Sequence, residues 1–202
     1  MAVEELKRDL LLPSPITQFE KWFQDAKQSG QLEPNAMTLA TVNQHYDVTA
    51  RTVLLKSVDE LGFIFFTNYL SPKAQALKAI PKAALVFWWP SCQRQVRVTG
   101  TVSLLEEALS DNYFASRPQD SQIASSISKQ SEVIPNREYL LEKFTKMQQA
   151  VKDQKIPRPD FWGGFRLHPK TVEFWQAREH RMSDRFEYRH NGSDWEIVQL
   201  SP

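Results

Sequence analysis

Alternation of apolar and polar residues divides the centre of the chain into short strands. Two apolar runs, Thr52–Leu55 and Phe63–Phe66, are rich in the aliphatic, β-branched and aromatic residues that favour strands. The segment between them, Ser57–Gly62, contains two acidic residues and a glycine, which suit a tight reversal of the chain. The pattern predicts that the two runs pair as a β-hairpin, with cationic residues at both of its outer ends.

A helical period precedes these strands. Apolar residues recur at three- and four-residue spacing from Ile16 to Ala26, after Ser14 and Pro15, which suit the cap and first turn of a helix. Ser29-Gly30 ends the run. The preceding residues, 1–12, have no such period and are expected to form a flexible arm.

The rest of the chain continues with strands, then helices, then strands again. Among the strands, the continuous apolar run Ala83–Trp89 predicts burial on both faces, and Gly100 predicts a bend or bulge. The other predicted strands are Met37–Val42, Val48–Lys56, Gly62–Asn68, Arg94–Leu105, Phe161–Arg166, Thr171–Gln176, Asp184–His190 and Trp195–Leu200. The predicted helices are Pro72–Ile80, Glu106–Ser116, Asp120–Ser128 and Pro135–Val151, the last with Tyr139, Leu140, Phe144, Met147 and Val151 facing inward.

This order predicts a mainly β, α+β fold in which an antiparallel barrel carries peripheral helices, because strands do not alternate regularly with helices. We expect one domain over residues 1–202. A net charge of +1 gives no global field for nucleic acid, and no apolar run approaches the ~20 residues of a membrane span. The single cysteine fits a reducing compartment, so a cytoplasmic protein is expected.

Several kinds of catalytic site lack their motif. The four histidines are scattered and neither HExxH nor CxxC is present, so no metal site is predicted. GxSxG, GxGxxG and GxxxxGK[ST] are absent as well, which leaves a serine hydrolase, a Rossmann site and a P-loop without support.

Three groups of cationic and hydroxyl residues point instead to anion binding. Each group taken alone is more often a solvated surface, but together they suggest recognition of phosphates and a flat polar ring. The groups are Arg51, Lys56 and Lys73; Tyr113, Arg117 and Ser121; and Arg178, Arg181 and Arg185, with Gln95, Gln130, Ser131 and Trp175 as further polar or aromatic candidates.

A specific series of strings resembles the pyridoxamine (pyridoxine) 5′-phosphate oxidase family. In order, the strings are RTVLLK, FFTN, RQVRVTG, YFASRPQDSQI, SKQS, FWGGFR and EFWQAREHRMSDRF, and they extend from about Pro15 to Pro202. The resemblance implies an FMN-binding split β-barrel, a homodimer with FMN between the subunits, and oxidation of pyridoxamine or pyridoxine 5′-phosphate by O₂ to pyridoxal 5′-phosphate and H₂O₂. The partners implied are the substrate, O₂ and a second copy of the chain, without nucleic acid or membrane.

The same resemblance implies roles for individual residues. Arg51 and Lys73 match ligands of the FMN phosphate, whereas Arg181 matches an arginine over the substrate ring and is the expected catalytic residue. Gln130, Ser131, Trp175 and Arg185 match contacts made from the other subunit. The implied cofactor-binding set is Arg51, Thr52, Val53, Leu54, Leu55, Lys56, Phe66, Thr67, Ser71, Lys73, Gln95, Gln130, Ser131, Trp175 and Arg185. The implied substrate-binding set is Lys56, Tyr113, Arg117, Ser121, Arg181 and Ser183.

Three positions depart from the family pattern. Pro72 stands where members usually have arginine, which removes a cation and a backbone donor near the FMN phosphate. Ser183 stands where members have a histidine, and the N-terminal arm lacks a basic-aromatic segment. These departures keep two alternatives open: a related flavoprotein that acts on another amine or alcohol, and a non-catalytic binder of FMN or pyridoxal 5′-phosphate.

Overall fold

The computed structural model describes residues 5–152 and 154–202 and contains nine strands and five α-helices in that part of the chain. The strands are β1 (Ala36–Val42), β2 (Val48–Leu54), β3 (Ser57–Asp59), β4 (Gly62–Asn68), β5 (Lys82–Trp89), β6 (Arg94–Leu104), β7 (Trp162–Gln176), β8 (Asp184–His190) and β9 (Trp195–Gln199). The helices are α1 (Pro15–Gln28), α2 (Pro72–Ala79), α3 (Glu107–Ser116), α4 (Gln119–Ile127) and α5 (Arg137–Val151).

All nine strands belong to one antiparallel sheet that curls into a split barrel. The order is β2-β1-β5-β6-β7-β4-β3, and β8 and β9 extend the sheet from β7. Among the described residues, β2 and β3, the two ends of the path, do not pair with each other, and the Lys56 amide that follows β2 donates to the Ile64 carbonyl of β4 at 2.9 Å. The barrel therefore opens between β2 and β4, and the predicted split-barrel fold is confirmed.

The predicted hairpin between Thr52–Leu55 and Phe63–Phe66 is wrong. β2 pairs along its whole length with β1, whereas β4 pairs with β3 and β7. The reversal itself lies where it was expected, because the Asp59 carboxylate accepts hydrogen bonds from the Leu61 and Gly62 amides. This turn joins β3 to β4, and the two predicted partners face each other across the split.

One long strand replaces two predicted ones. β7 runs through Pro169 without interruption. On one side of β7, pairing with β4 stops at Leu167 and pairing with β8 starts at Thr171. Pro169 lies in the gap between these two neighbours. The missing amide proton of proline therefore costs no ladder hydrogen bond there. The predicted bulge at Gly100 is confirmed, and a Cβ at this position would lie 1.9 Å from the His168 carbonyl oxygen.

Helix α1 closes one end of the barrel with an aromatic face. Phe19 and Trp22 are buried, and the Phe19 ring lies 4.9 Å from those of Phe63 and Phe87. Ser14 caps the helix by accepting a hydrogen bond from the Ile16 amide, as its position predicts. A second, smaller apolar cluster lies outside the barrel, below α3, α4 and α5, and consists of Phe114, Ile123, Ile156 and Trp162.

Two expectations about burial need correction. β5 is buried on one face alone, and Trp88 is 50% exposed, because no element among the described residues covers the outer face of the sheet at this position. Helix α5 has no buried residue: Phe144, Met147 and Val151 contact the second cluster, but Tyr139 is exposed.

The N-terminal segment contacts the barrel through some of its residues. Leu6 and Leu11 are buried in the main core. The Leu12 carbonyl accepts a hydrogen bond from the Tyr188 hydroxyl, and the Leu12 amide donates to Gln18. Residues 1–4 of the predicted arm lie outside the described residues. Within the described part of the chain, no helix is both long and apolar enough to cross a lipid bilayer.

Candidate active site

The opening of the barrel forms a cleft of about 540 Å³, here called the split cleft. β2 and β4 line its two sides, and α3, α4 and the loop after α4 cover it. The residues from the predicted site that line the split cleft are Thr52, Val53, Leu54, Lys56, Phe66, Thr67, Lys73, Tyr113, Arg117, Ser121 and Gln130. The sheet topology thus brings together two of the three cationic groups that the sequence pointed to.

Lys73 is the most deeply placed cation of the split cleft. It is 9% exposed, and its ammonium group donates to the side-chain oxygens of Thr67, Ser71 and Gln130 at 3.2, 3.1 and 2.9 Å. Among the described residues, no carboxylate lies within ion-pair distance of it. A buried charge without a counter-ion is costly, so this arrangement favours an anionic ligand.

Arg51 lies close enough to Lys73 to act on its charge. Burial, reinforced by the Arg51 guanidinium, lowers the pKa of Lys73 from 10.5 to about 8. The Arg51 side chain itself donates to the Leu39 carbonyl and to the hydroxyls of Thr41 and Thr49, and burial lowers its pKa too. Two cations that repel each other in this way favour an anion close to both.

Three stacked rings form the other wall of the split cleft. The Phe66 ring centroid lies 4.0 Å from that of Tyr113 and 5.4 Å from that of Trp162, the last two are 6.2 Å apart, and all three planes are nearly parallel. The Arg117 guanidinium lies 4.6 Å from the Trp162 ring and donates to the Ser125 hydroxyl at 2.9 Å. Stacking and this hydrogen bond hold the guanidinium in one orientation, which suits bidentate binding of a phosphate or carboxylate.

The lowered pKa of Lys73 predicts pH-dependent anion binding. We expect the affinity of the ligand-free protein for sulfate, which keeps its charge near neutral pH, to fall as the pH rises above about 8, approaching about tenfold per pH unit. The cause is that Lys73 loses its proton in this range. Calorimetric titrations between about pH 6 and pH 10 measure the effect.

The matched variant for this titration is Lys73→Met. It should bind sulfate more weakly and without the step near pH 8, since it has no proton to lose. An affinity of the unchanged protein that stays constant through pH 8 would contradict the assignment of Lys73 as an anion ligand.

A second cleft, of about 530 Å³, lies on the outer face of the sheet and is here called the sheet cleft. Gln95, Trp175 and Arg185 are directly opposite one another on β6, β7 and β8, so they form one row across the sheet. Arg181 and Ser183 come from the loop between β7 and β8. These five predicted residues therefore converge on a different face from the split cleft.

Glu173 lies in the neighbouring row of the sheet, opposite Arg97 of β6, and is 2% exposed. Its two carboxylate oxygens bind Arg185, at 2.9 Å, and Arg97. The hydrogen bond to Glu173 raises the pKa of Arg185. Glu173 thus fixes the Arg185 side chain at the floor of the sheet cleft.

Four predicted residues line neither cleft. Leu55 is part of the main core, and the Ser71 hydroxyl accepts a hydrogen bond from the Lys73 ammonium group. The charge of Arg51 helps to lower the pKa of Lys73, and Ser131 is exposed. Gln130 was expected to come from the other subunit, whereas its side chain in this chain binds Lys73 of the same chain.

Other residues of the two clefts were not singled out by sequence reasoning. Trp162 stands in the FWGGFR string, but nothing in the string shows that its ring would lie under Arg117. Ser125 lies one helical turn after Ser121 on α4, so the i,i+4 spacing could have identified it. Arg97 and Glu173 gave no signal apart from strand alternation.

Comparison with known families gives two matches that together cover most of the chain. Residues 23–150 match the family described as pyridoxamine 5′-phosphate oxidase, and residues 162–202 match the pyridoxine 5′-phosphate oxidase C-terminal dimerisation region. The second match covers β7, β8 and β9 with the loops between them, and this region contributes most residues of the sheet cleft.

Curated relatives agree with this assignment. The chain is 48% identical over 190 residues to pyridoxine/pyridoxamine 5′-phosphate oxidase of Cyanothece sp., covering 94% of this chain and 89% of the relative. It is 49% identical over 202 residues to the enzyme of the same name from Nostoc punctiforme, covering 99% and 92%.

Solved structures show the same fold. PhzG from Burkholderia lata, crystallised in complex with tetrahydrophenazine-1-carboxylic acid, superposes with a TM-score of 0.94 at 30% identity and full coverage of both chains. A pyridoxamine 5′-phosphate oxidase-related, FMN-binding protein from Nostoc punctiforme superposes with a TM-score of 0.76 at 15% identity, covering 94% of this chain and 98% of the other.

The motif series, the split barrel and the close relatives lead to the same assignment. The resemblance seen in the sequence is confirmed over nearly the entire length. This chain belongs to the pyridoxamine 5′-phosphate oxidase family.

Proposed function

We propose that this FMN-dependent oxidoreductase oxidises pyridoxamine 5′-phosphate and pyridoxine 5′-phosphate with O₂, giving pyridoxal 5′-phosphate and H₂O₂. The observation that carries the proposal is the split cleft, where Lys73 and Arg117 occupy separate positions without carboxylate partners among the described residues. Two separate cationic positions suit two phosphates, one on the cofactor and one on the substrate.

The residues around Lys73 fit the phosphate of FMN. Lys73 and Arg51 supply charge, and the hydroxyls of Thr67 and Ser71 and the Gln130 amide surround the ammonium group. Pro72 occupies the first position of α2 and provides no amide donor there, so the side chains make most of the contacts. When bound, FMN accepts a hydride from the substrate and passes the electrons to O₂.

The residues around Arg117 fit the 5′-phosphate of the substrate. Lys56, Tyr113 and Ser121 line the same cleft, and the guanidinium is already oriented by Trp162 and Ser125. Binding of a phosphate remote from the reacting carbon orients the substrate ring against the cofactor. This role explains why a pre-oriented arginine is placed away from Lys73.

We further propose that the active unit is a homodimer in which the sheet cleft of one subunit covers the split cleft of the other. The dimerisation region of the family, residues 162–202, includes Trp175, Arg181 and Arg185. In the proposed dimer, Trp175 and Arg185 contact FMN, and Arg181 lies over the substrate ring and holds the reacting amine or alcohol. Arginine keeps its proton near neutral pH, so Arg181 acts by charge and position and not as a base.

A second candidate function is oxidation of a different, non-phosphorylated ring compound. PhzG, which shares the fold at 30% identity, binds a tetrahydrophenazine carboxylic acid, and the Arg117 site could accept a carboxylate in place of a phosphate. Ser183, which stands in place of a histidine, is consistent with a changed substrate. The discriminating experiment is to incubate the FMN-loaded protein in air with either pyridoxamine 5′-phosphate or a reduced tricyclic carboxylic acid.

Formation of pyridoxal 5′-phosphate, H₂O₂ and ammonia from the first compound supports the proposal. Turnover of the tricyclic acid alone would favour the second candidate. FMN binding without turnover of either compound would identify a non-catalytic binder.

Loss of the Arg181 side chain should affect turnover far more than loss of the Ser183 hydroxyl. We expect Arg181→Ala to lower kcat by about a hundredfold or more, because its charge would no longer hold the reacting group, whereas Ser183→Ala should cost less than about tenfold. Steady-state rates with pyridoxamine 5′-phosphate measure both effects. Equal losses for the two variants would contradict the role assigned to Arg181.

A further inference from the structure

The loop that carries Arg181 and Ser183 has an unfavourable backbone conformation. It spans residues 177–183 between β7 and β8, which are paired up to Gln176 and Asp184. Within it, His180 and Arg181 have φ angles of 55° and 61°. Residues with a Cβ avoid this left-handed region, so two successive ones persist only where contacts outside the two residues hold the loop.

A largely buried ion pair closes the base of this loop. Arg178 Nε donates to Asp184 Oδ2 at 2.6 Å, and the side chains are 21% and 15% exposed. Arg178 is the second residue of the loop and Asp184 the first residue after it. The pair therefore fixes the separation between the two ends of the segment that carries Arg181.

The same carboxylate oxygen also connects the loop to the N-terminal segment. Asp184 Oδ2 accepts a hydrogen bond from the Leu6 amide at 3.0 Å, and the Leu6 side chain is buried in the main core. Asp184 thus has two donors from different parts of the chain. The ion pair is anchored to the core of the barrel and does not move freely with the loop.

We propose that Arg178 and Asp184 are a positioning pair that holds the Arg181 loop in the conformation needed for turnover. The inference deepens the proposed function and rests on the role of Arg181 in it. Arg178 lines the sheet cleft, but its Nε is bound to Asp184 and the FMN phosphate is assigned to Lys73 and Arg51, so the pair acts through the loop that it closes. Their removal should therefore lower kcat and leave the affinity for FMN nearly unchanged.

The test is a double-mutant cycle with Arg178→Gln, Asp184→Asn and the double variant. The asparagine oxygen can still accept from the Leu6 amide, so the N-terminal segment keeps its contact. Each single variant should lower kcat by about tenfold, and the double variant by no more than about tenfold, because either change alone already breaks the pair. Changes in KM and in the Kd for FMN should stay within about threefold.

A matched control is Arg189→Gln, which removes an exposed arginine of β8 that is paired with Glu187. This variant should keep the kcat of the unchanged protein. The inference is overturned if Arg178→Gln leaves kcat unchanged, or if the losses from Arg178→Gln and Asp184→Asn multiply, since independent effects would mean that each residue acts without the other.

Failure of the proposed function can be distinguished from failure of this inference. If the unchanged protein does not oxidise pyridoxamine 5′-phosphate, the proposed function fails and kcat cannot report on the loop. Hydrogen exchange of the amides in residues 177–183 then decides the inference. Faster exchange in Arg178→Gln than in the unchanged protein and in Arg189→Gln supports the positioning pair, and equal exchange in all three overturns it.

Discussion

Replacement of Lys73 by methionine is expected to weaken FMN binding by about ten- to a hundredfold, since a hydrogen bond to a charged group contributes roughly 1.5–3 kcal/mol. Lys73 is the buried cation of the split cleft, and among the described residues no carboxylate lies within ion-pair distance of it. Titration of the ligand-free variant with FMN, followed by flavin fluorescence, gives the affinity. Lys78→Met, on the exposed side of the same helix, is the matched control and should bind FMN normally.

The same substitution should not destabilise the ligand-free protein. The pKa of Lys73 is about 8 in the folded chain and 10.5 ordinarily, so folding has to keep a charged group in a site that disfavours it. This cost is fully present below about pH 8 and is relieved as the pH rises towards 10.5. Lys73→Met removes the cost, and its free energy of unfolding at neutral pH should equal or exceed that of the unchanged protein.

Loss of both FMN affinity and stability would indicate a structural role for Lys73. Unchanged FMN affinity would instead assign the cofactor phosphate to a different site. Either result would contradict the role proposed for Lys73, a buried cation that is retained at a cost to stability because it binds an anion.

Arg117→Ala is expected to raise KM for pyridoxamine 5′-phosphate by roughly a hundredfold, because truncating a desolvated charge partner costs about 2–5 kcal/mol. The Arg117 guanidinium is oriented by Trp162 and Ser125, so the loss removes a contact that was formed before binding. Initial rates over a range of substrate concentrations measure the effect. FMN affinity should remain unchanged, since Lys73 and its neighbours are intact.

Non-phosphorylated pyridoxamine provides the internal control for Arg117. If the guanidinium binds the 5′-phosphate, its removal leaves the low activity on pyridoxamine nearly unchanged, and the preference for the phosphorylated compound collapses. Arg137→Ala, at an exposed position on α5, should leave the preference intact. An equal loss with both substrates would show that Arg117 serves the chemistry or the fold and does not bind the phosphate.

Local sequence patterns predicted most elements of this fold but not their pairing. Strand alternation and helix caps depend on neighbouring residues, and so β4, β8 and α1 lie where the sequence places them. The predicted hairpin between β2 and β4 was wrong because a three-residue strand, β3, forms the pair with β4. Such a short strand has too few residues to show an alternation of its own.

Burial was harder to predict because it depends on what covers each face. The apolar run of β5 looked buried on both sides, yet Trp88 points away from the core of this chain. In the same way, Tyr139 fits the apolar stripe of α5 but is exposed, since that helix contacts a small cluster and not the main core. Periodicity identifies a face, whereas the neighbour of that face comes from tertiary structure.

For the candidate site, the sequence motifs identified individual residues, and the structure shows which of these residues lie together in one cleft. Nothing in the sequence shows that Tyr113 and Arg117 lie with Lys73 in one cleft while Trp175 and Arg181 lie in another. The supporting contacts, such as the ion pair of Glu173 with Arg185, join residues on different strands and have no local signature.

Oxidation of a phosphorylated B6 compound by FMN bound at the split cleft is the central function proposed for this chain. The most direct measurement is to mix the FMN-loaded protein with pyridoxamine 5′-phosphate in the absence of O₂ and to follow the visible absorbance band of the flavin. We expect that the band bleaches, that one pyridoxal 5′-phosphate forms for each flavin reduced, and that O₂ restores the band. A flavin band that persists while the substrate is demonstrably bound would contradict the proposed function.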